Sequence, residues 1–430
     1  MADIEITVEG GSSARLLTAG KYCDRNILVT ATGGGGGGTS ASPSDVNFYD
    51  YDGTLLYSYT IAEANLLTEM PQPPTHDGLT FQGWNYSIEE VQSTTRRMDV
   101  GATYITSDGK TRLYISVPAN SEPGLPPPRN QVPLYFRQTV ANGVTIDWGD
   151  GSEPETLPGT GVANTTHTYA TAGDFVISLS PVDGCELELG TGSRPYCVIG
   201  STSDNGVVYC TMLKLVEVGR NVPNIGAYSF YKCYSLSSIV IPDSVTSIES
   251  SAFNKCYSLS SIVIPGSVTS IESSAFNSCY SLSSVVIPDN VTSIGSNSFY
   301  YCYSLSSVVI PGSVTSIGSN SFYYCYSLSS VVIPDSVTSI ESNAFGVCYS
   351  LSSIVIPGSV TSIESNAFYS CYGIKEYHCK PLTPPTLLSK NAFSGIPSDC
   401  IIYVPVGSLE SYKTATNWSA YASYMQEEPA

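Results

Sequence analysis

The sequence predicts a multi-domain, mainly β chain whose C-terminal half is a solenoid, a rod of stacked repeat units. Two observations support this prediction. In residues 210–370 a 23-residue unit recurs seven times, almost unchanged from Cys233 onward. A strict period of this length is typical of solenoids, in which each unit packs only on its neighbours. Ahead of the repeats, short apolar segments alternate with turn residues, as in small β domains.

The first 43 residues form a short β module and a linker. Ile4, Ile6 and Val8 alternate with polar residues, which predicts a strand, and residues 27–29 supply a second one. Residues 1–32 are therefore a small β anchor module. Six consecutive glycines, residues 33–38, lie within the linker 33–43. Two interpretations remain open: a flexible linker, or a packed polyglycine stalk in a homo-oligomer such as a trimer.

Two further domains precede the repeats. Residues 44–105 read as a small α+β module, with strands over 46–53, 54–59 and 79–84, a helix over 61–70, and a second helix capped by Ser87. Residues 106–181 read as a β-sandwich, because short strand candidates alternate with turn signals. Its predicted strands are residues 112–117, 134–137, 144–148 and 175–179.

The solenoid takes residues 182–430, with degenerate units at both ends. Within one unit we expect three groups of side chains to point inward, and one unit alone cannot bury them. The run 401–405 predicts a last strand, and 408–425 a closing helix that covers the open edge. The inward-pointing side chains are Leu236, Ile239 and Ile241, then Val245 and Ile248, then Phe253 and Cys256.

Cysteine recurs at one position of the repeat. Stacking places neighbouring cysteines about 4.8 Å apart with parallel Cβ vectors, a geometry that suits disulfides poorly. We therefore predict a column of buried, reduced thiols that pack as small apolar groups. A metal ladder needs clustered ligands, and the chain has only three His. The column comprises Cys210, Cys233, Cys256, Cys279, Cys302, Cys325, Cys348 and Cys371.

The charge balance excludes two classes of partner. The chain carries 37 acidic and 18 basic residues, a formal net charge of −19. Nucleic-acid binding and attraction to an anionic membrane both need a basic face, so neither is expected. We also expect no membrane insertion, because no apolar run reaches the ~18 residues of a spanning helix. The start, M-A-D-I-E, lacks the features of a Sec signal peptide, which predicts synthesis in the host cytoplasm and release by another route.

Motifs of catalysis are missing from the sequence. No G-x-S-x-G elbow, P-loop or H-E-x-x-H occurs, so we predict neither enzyme activity nor a cofactor. Asp147 and Asp150 are weak Ca²⁺ candidates, and turn formation is the favoured interpretation. His167 is expected to make a structural hydrogen bond. Glutamate recurs in register, and a solvated face is favoured over a pair of glycosidase carboxylates; these residues are Glu249, Glu272, Glu341 and Glu364.

A tyrosine follows each column cysteine from Cys233 to Cys371, and this tyrosine column is the predicted ligand-binding surface. Tyrosine and serine together are the favoured chemistry of paratopes, which combine rigid amphipathic rings with small hydrogen-bonding groups. Self-stacking of the rings without any ligand is the open alternative, and the sheet face around Ser238 and Val240 is a second candidate surface. The tyrosine column comprises Tyr234, Tyr257, Tyr280, Tyr303, Tyr326, Tyr349 and Tyr372.

The full repeat resembles a known family. Its pattern, L-x-x-[IV]-x-[IL]-P-x-x-V-x-x-I-x-x-x-A-F-x-x-C, is similar to the BspA-type bacterial leucine-rich repeat over about residues 210–405. This resemblance implies a leucine-rich-repeat solenoid with a parallel β-sheet on one face. It also implies a role in attachment to host or matrix surfaces.

The N-terminal modules carry two further resemblances. The run T-I-D-W-G-D-G at 145–151, with His167 and Tyr169, is similar to a PKD-like immunoglobulin sandwich. Residues 16–30 resemble a module of phage and prophage tail proteins. Together these imply a virion tail protein that is anchored to other tail proteins through residues 1–32 and binds a host cell-surface glycan or protein through the solenoid. The alternatives are a BspA-like bacterial cell-surface adhesin and a structural spacer of the virion.

Overall fold

The structure is a computed structural model, and it describes about four fifths of the chain in two compact units. The units are Met1–Gly109 and Lys110–Ala430. The predicted glycine linker, the predicted helix cap Ser87 and Cys210 lie outside the described residues. The described residues are 4–8, 12–17 and 28–29 as strands only, then 45–50, 54–76, 79–84, 88–92, 94, 98–106, 108–119, 130–192, 197–200 and 211–429.

The first unit contains two sheets. Ile4–Val8, Ser12–Leu17 and Leu28–Val29 form a three-stranded antiparallel sheet. A second, four-stranded sheet has the order Leu55–Thr60, Asp45–Tyr49, Met98–Thr106, Leu79–Trp84, and its two central strands run parallel. Two short helices, Ile61–Ala64 and Ile88–Gln92, accompany this sheet, so residues 45–106 have the predicted α+β composition.

The first of these helices is shorter than predicted. Thr60 and Glu63 form a reciprocal capping box at its start, but the helix ends at Ala64 rather than at residue 70. Only Ala64 is buried on it, and Leu66 is 80% exposed. The apolar spacing of 61–70 therefore does not produce a buried face, and without one a longer helix gains little from packing.

The second unit begins with a β-sandwich. One of its sheets contains Glu155–Thr156, Val144–Asp147, Gly173–Pro181 and Thr111–Val117, and the other contains Gly161–Thr168, Gln131–Gln138 and Leu187–Leu189. All four strands predicted for this region are present. The strand Gly161–Thr168 was not predicted from the sequence, because Ala163 is its one buried side chain and apolar alternation is absent.

The sandwich and the solenoid share one sheet. Thr111–Val117 pairs antiparallel with Leu213–Glu217, which in turn pairs parallel with Ser238–Val240 of the first regular repeat. One continuous core cluster runs from Leu113 to Met425. The sandwich therefore covers the first edge of the solenoid, which would otherwise present unpaired backbone groups.

Each repeat contributes two short strands. A three-residue strand, S-[IV]-V, buries its middle side chain and leaves its last valine at least partly exposed, while a two-residue Ser-Ile strand lies on another side of the unit. Both kinds pair parallel at an offset of 23 residues, as in Ser284↔Ser307 and Ser293↔Ser316. The S-[IV]-V strands are Ser238–Val240, Ser261–Val263, Ser284–Val286, Ser307–Val309, Ser330–Val332 and Ser353–Ile356. The two-residue strands are Asn224–Ile225, Ser247–Ile248, Ser270–Ile271, Ser293–Ile294, Ser316–Ile317, Ser339–Ile340, Ser362–Ile363 and Thr386–Leu387.

Side chains from equivalent positions stack into columns. Phenylalanine rings from Phe230 to Phe393 lie face to face, with centroids 5.2 to 5.7 Å apart. The predicted thiol column is confirmed for the described cysteines from Cys233 to Cys371, which are all buried thiols. The Sγ of Cys302 donates to the carbonyl of Phe276 at 3.3 Å, and its neighbours repeat this bond. Burial raises the pKa of the Cys279, Cys302 and Cys348 thiols, so these three stay protonated.

The C-terminal cap differs in detail from the predicted closing helix. Ile401–Val404 is the expected strand, but two short helical segments follow it, Leu409–Thr414 and a 3₁₀ turn Trp418–Tyr424. A final strand, Met425–Glu427, then pairs parallel with Ile401–Val404. Trp418 is fully buried, donates to the carbonyl of Pro385 at 2.7 Å, and packs against Phe393 at the end of the phenylalanine column.

The phenylalanine column gives the first prediction. Phe299 is fully buried between Phe276 and Phe322. Replacing it by Ala removes both ring contacts and leaves a cavity, which should lower the free energy of unfolding by about 3–5 kcal/mol. Urea denaturation of the full chain measures this, with the exposed Ser304→Ala as the matched control. Equal midpoints for the two variants would show that Phe299 is not part of the core.

Candidate functional site: a tyrosine column along the solenoid

The structure brings the seven predicted tyrosines together into one continuous stack. Neighbouring ring centroids are 4.5 to 5.5 Å apart and the ring planes lie within 23° of parallel. The backbone sets this spacing, because the carbonyl of each tyrosine from Tyr234 to Tyr326 accepts a hydrogen bond from the serine that follows the next tyrosine. The amide of Ser304, for example, donates to the carbonyl of Tyr280 at 3.3 Å.

The stack leaves ring edges, rather than ring faces, open to solvent. Each inner ring has a neighbouring ring on both faces, as Tyr280 lies between Tyr257 and Tyr303. The five rings from Tyr234 to Tyr326 are half-buried, while Tyr349 is 44% and Tyr372 56% exposed. The predicted self-stacking is therefore real, and it still leaves a row of phenol edges with serines between them. Such a row offers hydrogen bonds and apolar edges without charge.

Burial also changes the ionisation of the column. Burial, with the nearby Tyr280 and Tyr234 as further causes, raises the pKa of Tyr257 to about 12. Burial likewise raises the pKa of Tyr303 and of Tyr326. These three tyrosines are therefore neutral at physiological pH, because all three shifts favour the protonated phenol.

The second predicted surface, the outer side of the S-[IV]-V strands, is exposed toward its C-terminal end. Val332 is 71% and Val355 47% exposed, and Ser330 and Ser353 beside them are exposed as well. His378 lies next on this surface, stacked on Tyr403 at 5.0 Å and bonded through Nδ1 to Glu428 at 3.0 Å. An apolar strip thus ends at a charged cluster.

The recurrent glutamates connect neighbouring units. Glu364 accepts from the backbone amide and the hydroxyl of Ser342 at 3.2 and 2.8 Å, and Glu341 accepts from Ser319 at 3.0 Å. Glu249 accepts from the amide of Ala227 at 3.0 Å. These carboxylates satisfy groups of the preceding turn, a role that the sequence interpretation as a solvated face did not include. Each glutamate and its partner are 22 residues apart, one less than the repeat length, and this spacing is the feature of the sequence that could have indicated the bond.

The two calcium candidates take part in turns of the sandwich. Asp147 accepts from the amide of Gly149 at 2.9 Å. Asp150 accepts from the hydroxyl of Ser152 at 2.6 Å and lies 2.7 Å from Nε2 of His167. Hydrogen bonds from Ser152, ahead of the one from His167, lower the pKa of Asp150 to about 2. Among the described residues, no group of three or more His, Cys, Asp or Glu is arranged to hold a metal ion.

His167 contributes to the same part of the sandwich. Its ring stacks on Trp148 with centroids 4.7 Å apart and meets Tyr169 edge-on. Trp148 and Tyr169 are buried, and the Tyr169 hydroxyl donates to the carbonyl of Trp148 at 2.9 Å. The hydrogen bond expected for His167 is thus present within an aromatic cluster of the domain core.

The repeat region matches a known family of proteins. A family model for the BspA-type leucine-rich repeat region matches residues 203–328 and 292–409, in six copies. The repeat region belongs to the BspA-type leucine-rich repeat family. The predicted leucine-rich-repeat solenoid with parallel sheets is therefore confirmed. A search of curated proteins gave no match.

Several solved structures are similar to this BspA-type chain. A leucine-rich repeat protein of T. pallidum is 33% identical, with 37% of this chain and 77% of that one covered and a TM-score of 0.36. A leucine-rich cell surface protein of Faecalibacterium prausnitzii is 26% identical, with 52% and 65% covered and a TM-score of 0.34. The pneumococcal vaccine antigen PcpA is 15% identical, with 50% and 66% covered and a TM-score of 0.30.

In the part of the chain that the structure describes, no helix combines the length and the apolar character needed to cross a bilayer.

The raised tyrosine pKa values give a second prediction. Unfolded tyrosine ionises near pH 10, whereas folded Tyr257 remains neutral to about pH 12. The stability contributed by this shift is fully present below about pH 10 and is lost as the pH rises toward about 12. Urea unfolding at about pH 8 and about pH 11 should show this loss. A chain with Phe at positions 257, 303 and 326 should lose less over the same range, and an equal loss would contradict the shifts.

Proposed function

We propose that this chain is a surface adhesion protein whose solenoid attaches to a host cell or matrix surface. The observation that carries the proposal is the continuous, uncharged tyrosine column along one side of a BspA-type solenoid. Its rings are held at fixed spacing by the backbone, so little side-chain freedom is lost when a ligand binds. The repeat family match supports the adhesin alternative, because attachment is the role that the resemblance to this family implies.

The proposed ligand is a neutral glycan or a protein on the surface of the target. The regular units at 233–370 carry seven acidic residues and one basic residue, 1 − 7 = −6, so a polyanionic ligand is disfavoured there. Tyrosine and serine suit neutral hydrogen-bonding surfaces. We also propose that the chain acts by binding alone, without catalysis, a cofactor or nucleic acid.

The phage-tail hypothesis has less support. It depends on the resemblance of residues 16–30 to tail modules, whereas the family match lies within residues 203–409. A virion role, with residues 1–32 as the anchor to other tail proteins, and a spacer role therefore stay hypotheses. Tail genes beside the coding sequence would favour the virion role. The PKD-like identity of the sandwich also stays a hypothesis, and the stack of Trp148 and His167 supports it.

The test is adhesion of the full chain to candidate host cells. The chain should bind, and a variant with Tyr→Ser at all seven column positions should lose most of that binding, because the phenol edges are removed. Circular dichroism and thermal unfolding verify that the variant is folded. A matched control changes the exposed threonines 246, 269, 292, 315 and 338, which precede the two-residue strands on another side of each unit, to Ala and should bind nearly as well as the wild type.

Each outcome of this experiment separates the hypotheses. Equal adhesion by the wild type and the tyrosine variant would eliminate the column as the binding surface. No adhesion by any form to any cell tested would favour the spacer role and overturn the proposal.

A further inference from the structure

Two adjacent repeats differ from all others at the corner of the solenoid next to the tyrosine column. At the two positions before the cysteine these units carry Tyr-Tyr, whereas the second position is Lys, Ser or Val before the other column cysteines from Cys233 to Cys371. With the column residues beside them they form what we call the six-tyrosine cluster. It consists of Tyr300, Tyr301, Tyr303, Tyr323, Tyr324 and Tyr326.

The backbone at this corner gives no reason for an aromatic residue. Tyr301 and Tyr324 have φ values of 62° and 64°, and the equivalent Lys255, Ser278 and Val347 share this left-handed conformation, at 67°, 60° and 60°. A bulky residue is unfavourable there. Since the fold accepts lysine or serine at the same position, the two tyrosines are not needed for packing of the core.

The cluster has a defined geometry. Tyr300 stacks on Tyr323 at 5.6 Å, and Tyr301 stacks on Tyr324 at 4.8 Å. Adjacent stacks are inclined to each other, with 55° between Tyr300 and Tyr301. The third stack, Tyr303 on Tyr326, meets Tyr301 and Tyr324 nearly edge-on, at 65° and 86°. Two two-ring stacks and the adjoining part of the long column, inclined to one another, form a corrugated aromatic surface, and all six rings are half-buried.

The surroundings of the cluster differ from the rest of the column in two ways. First, no charged residue occurs between Asp289 and Asp335 in the sequence, whereas every other regular unit contains at least one. Second, Gly346 follows Tyr323 at the equivalent position of the next unit. A methyl carbon at Gly346 would lie 2.7 Å from Cδ2 and Cε2 of the Tyr323 ring, so glycine is what leaves room for the ring there.

The stack of Tyr300 on Tyr323 and the stack of Tyr301 on Tyr324 each end after two rings. The positions equivalent to Tyr300 and Tyr301 in the preceding unit are Asn277 and Ser278, and those in the following unit are Gly346 and Val347. The outer faces of these stacks therefore meet small residues instead of further rings. The long column is not interrupted between Tyr234 and Tyr372, so its inner rings are covered by other rings on both faces. Ring faces that no other ring covers therefore occur at the cluster.

We propose that the six-tyrosine cluster is the ligand-anchoring site of the solenoid and that its ligand is a neutral oligosaccharide. This inference deepens the proposed adhesive function and depends on it. A sugar ring has an apolar C–H face that packs on aromatic surface, and hydroxyls that pair with phenol, serine and asparagine groups. The absence of charge between Asp289 and Asp335 matches a ligand without charge.

The size of the cluster distinguishes this ligand from a protein partner. Two turns of the solenoid extend about 10 Å along its axis, at roughly 4.8 Å per strand. A stable protein–protein interface buries about 800 Å² on each partner, which is much more than a patch two turns wide offers. A few linked sugar units fit this length.

The test compares three variants of the full chain on an immobilised panel of neutral gluco-, galacto-, manno- and N-acetylglucosamine oligosaccharides with sulfated and sialylated counterparts. The first variant combines Tyr301→Ser with Tyr324→Ser, which the fold should tolerate because Ser278 and Ser370 occupy the same position with φ values of 60° and 54°. The second is Gly346→Ala, which displaces the Tyr323 ring. The matched control is Tyr228→Ser, which removes a half-buried tyrosine outside the column at a left-handed position where Ser251 and Ser274 occur with φ values of 60° and 61°.

The wild type should bind a neutral oligosaccharide, and the first variant should weaken that binding by about tenfold or more. Gly346→Ala should also weaken it, and the control should change it by less than about threefold. All three should unfold cooperatively, which thermal unfolding verifies. Tight binding by the first variant would overturn the proposal. A wild type that adheres to cells but binds only charged glycans, or no glycan of the panel, would also overturn it. In that case the adhesive function would remain, and a different ligand would account for it.

Discussion

The structure depends on the constant length of its repeat, which places each side chain beside its own equivalent on the next turn. Parallel strands in register at an offset of 23 residues, as in Ile294↔Ile317, fix this alignment. As a consequence, phenylalanine rings stack with centroids 5.2 to 5.7 Å apart and tyrosine rings with centroids 4.5 to 5.5 Å apart. The thiol column and the glutamate bonds between turns follow from the same alignment, since each partner lies in the neighbouring unit.

Regular repetition makes much of this fold predictable from sequence. The inward positions Leu236, Ile239 and Phe253 are buried as expected, because periodicity alone shows which residues share a face. What the sequence did not predict depends on tertiary context. The helix predicted over 61–70 ends at Ala64 because its apolar spacing produces no buried face, and the polar strand Gly161–Thr168 lacks a local apolar signal. The pairing of Thr111–Val117 with Leu213–Glu217 joins segments about a hundred residues apart, and such pairings leave no local pattern.

The candidate site was partly predictable for the same reason. The tyrosine column is visible in the sequence, and stacking of its rings was one of the two interpretations considered. Only the structure shows that the inner rings are covered on both faces, which limits the column to contacts through edges and hydroxyls. Most positions are the same in every unit, so the repeat pattern alone distinguishes no unit as a site. The inclined stacks of Tyr301 and Tyr324, together with Gly346, distinguish two of them.

The core, the tyrosine column and the six-tyrosine cluster all depend on the alignment of equivalent residues between turns. Changing the length of one repeat tests this alignment most directly. Deleting residues 256–278 removes one whole 23-residue unit and keeps every later column in register. Deleting 256–277 removes one residue fewer and shifts all of them. Thermal unfolding followed by circular dichroism should show a cooperative transition for the first deletion, at somewhat lower temperature than the full chain, and its loss or a large destabilisation for the second. Equal unfolding of the two chains would contradict the account.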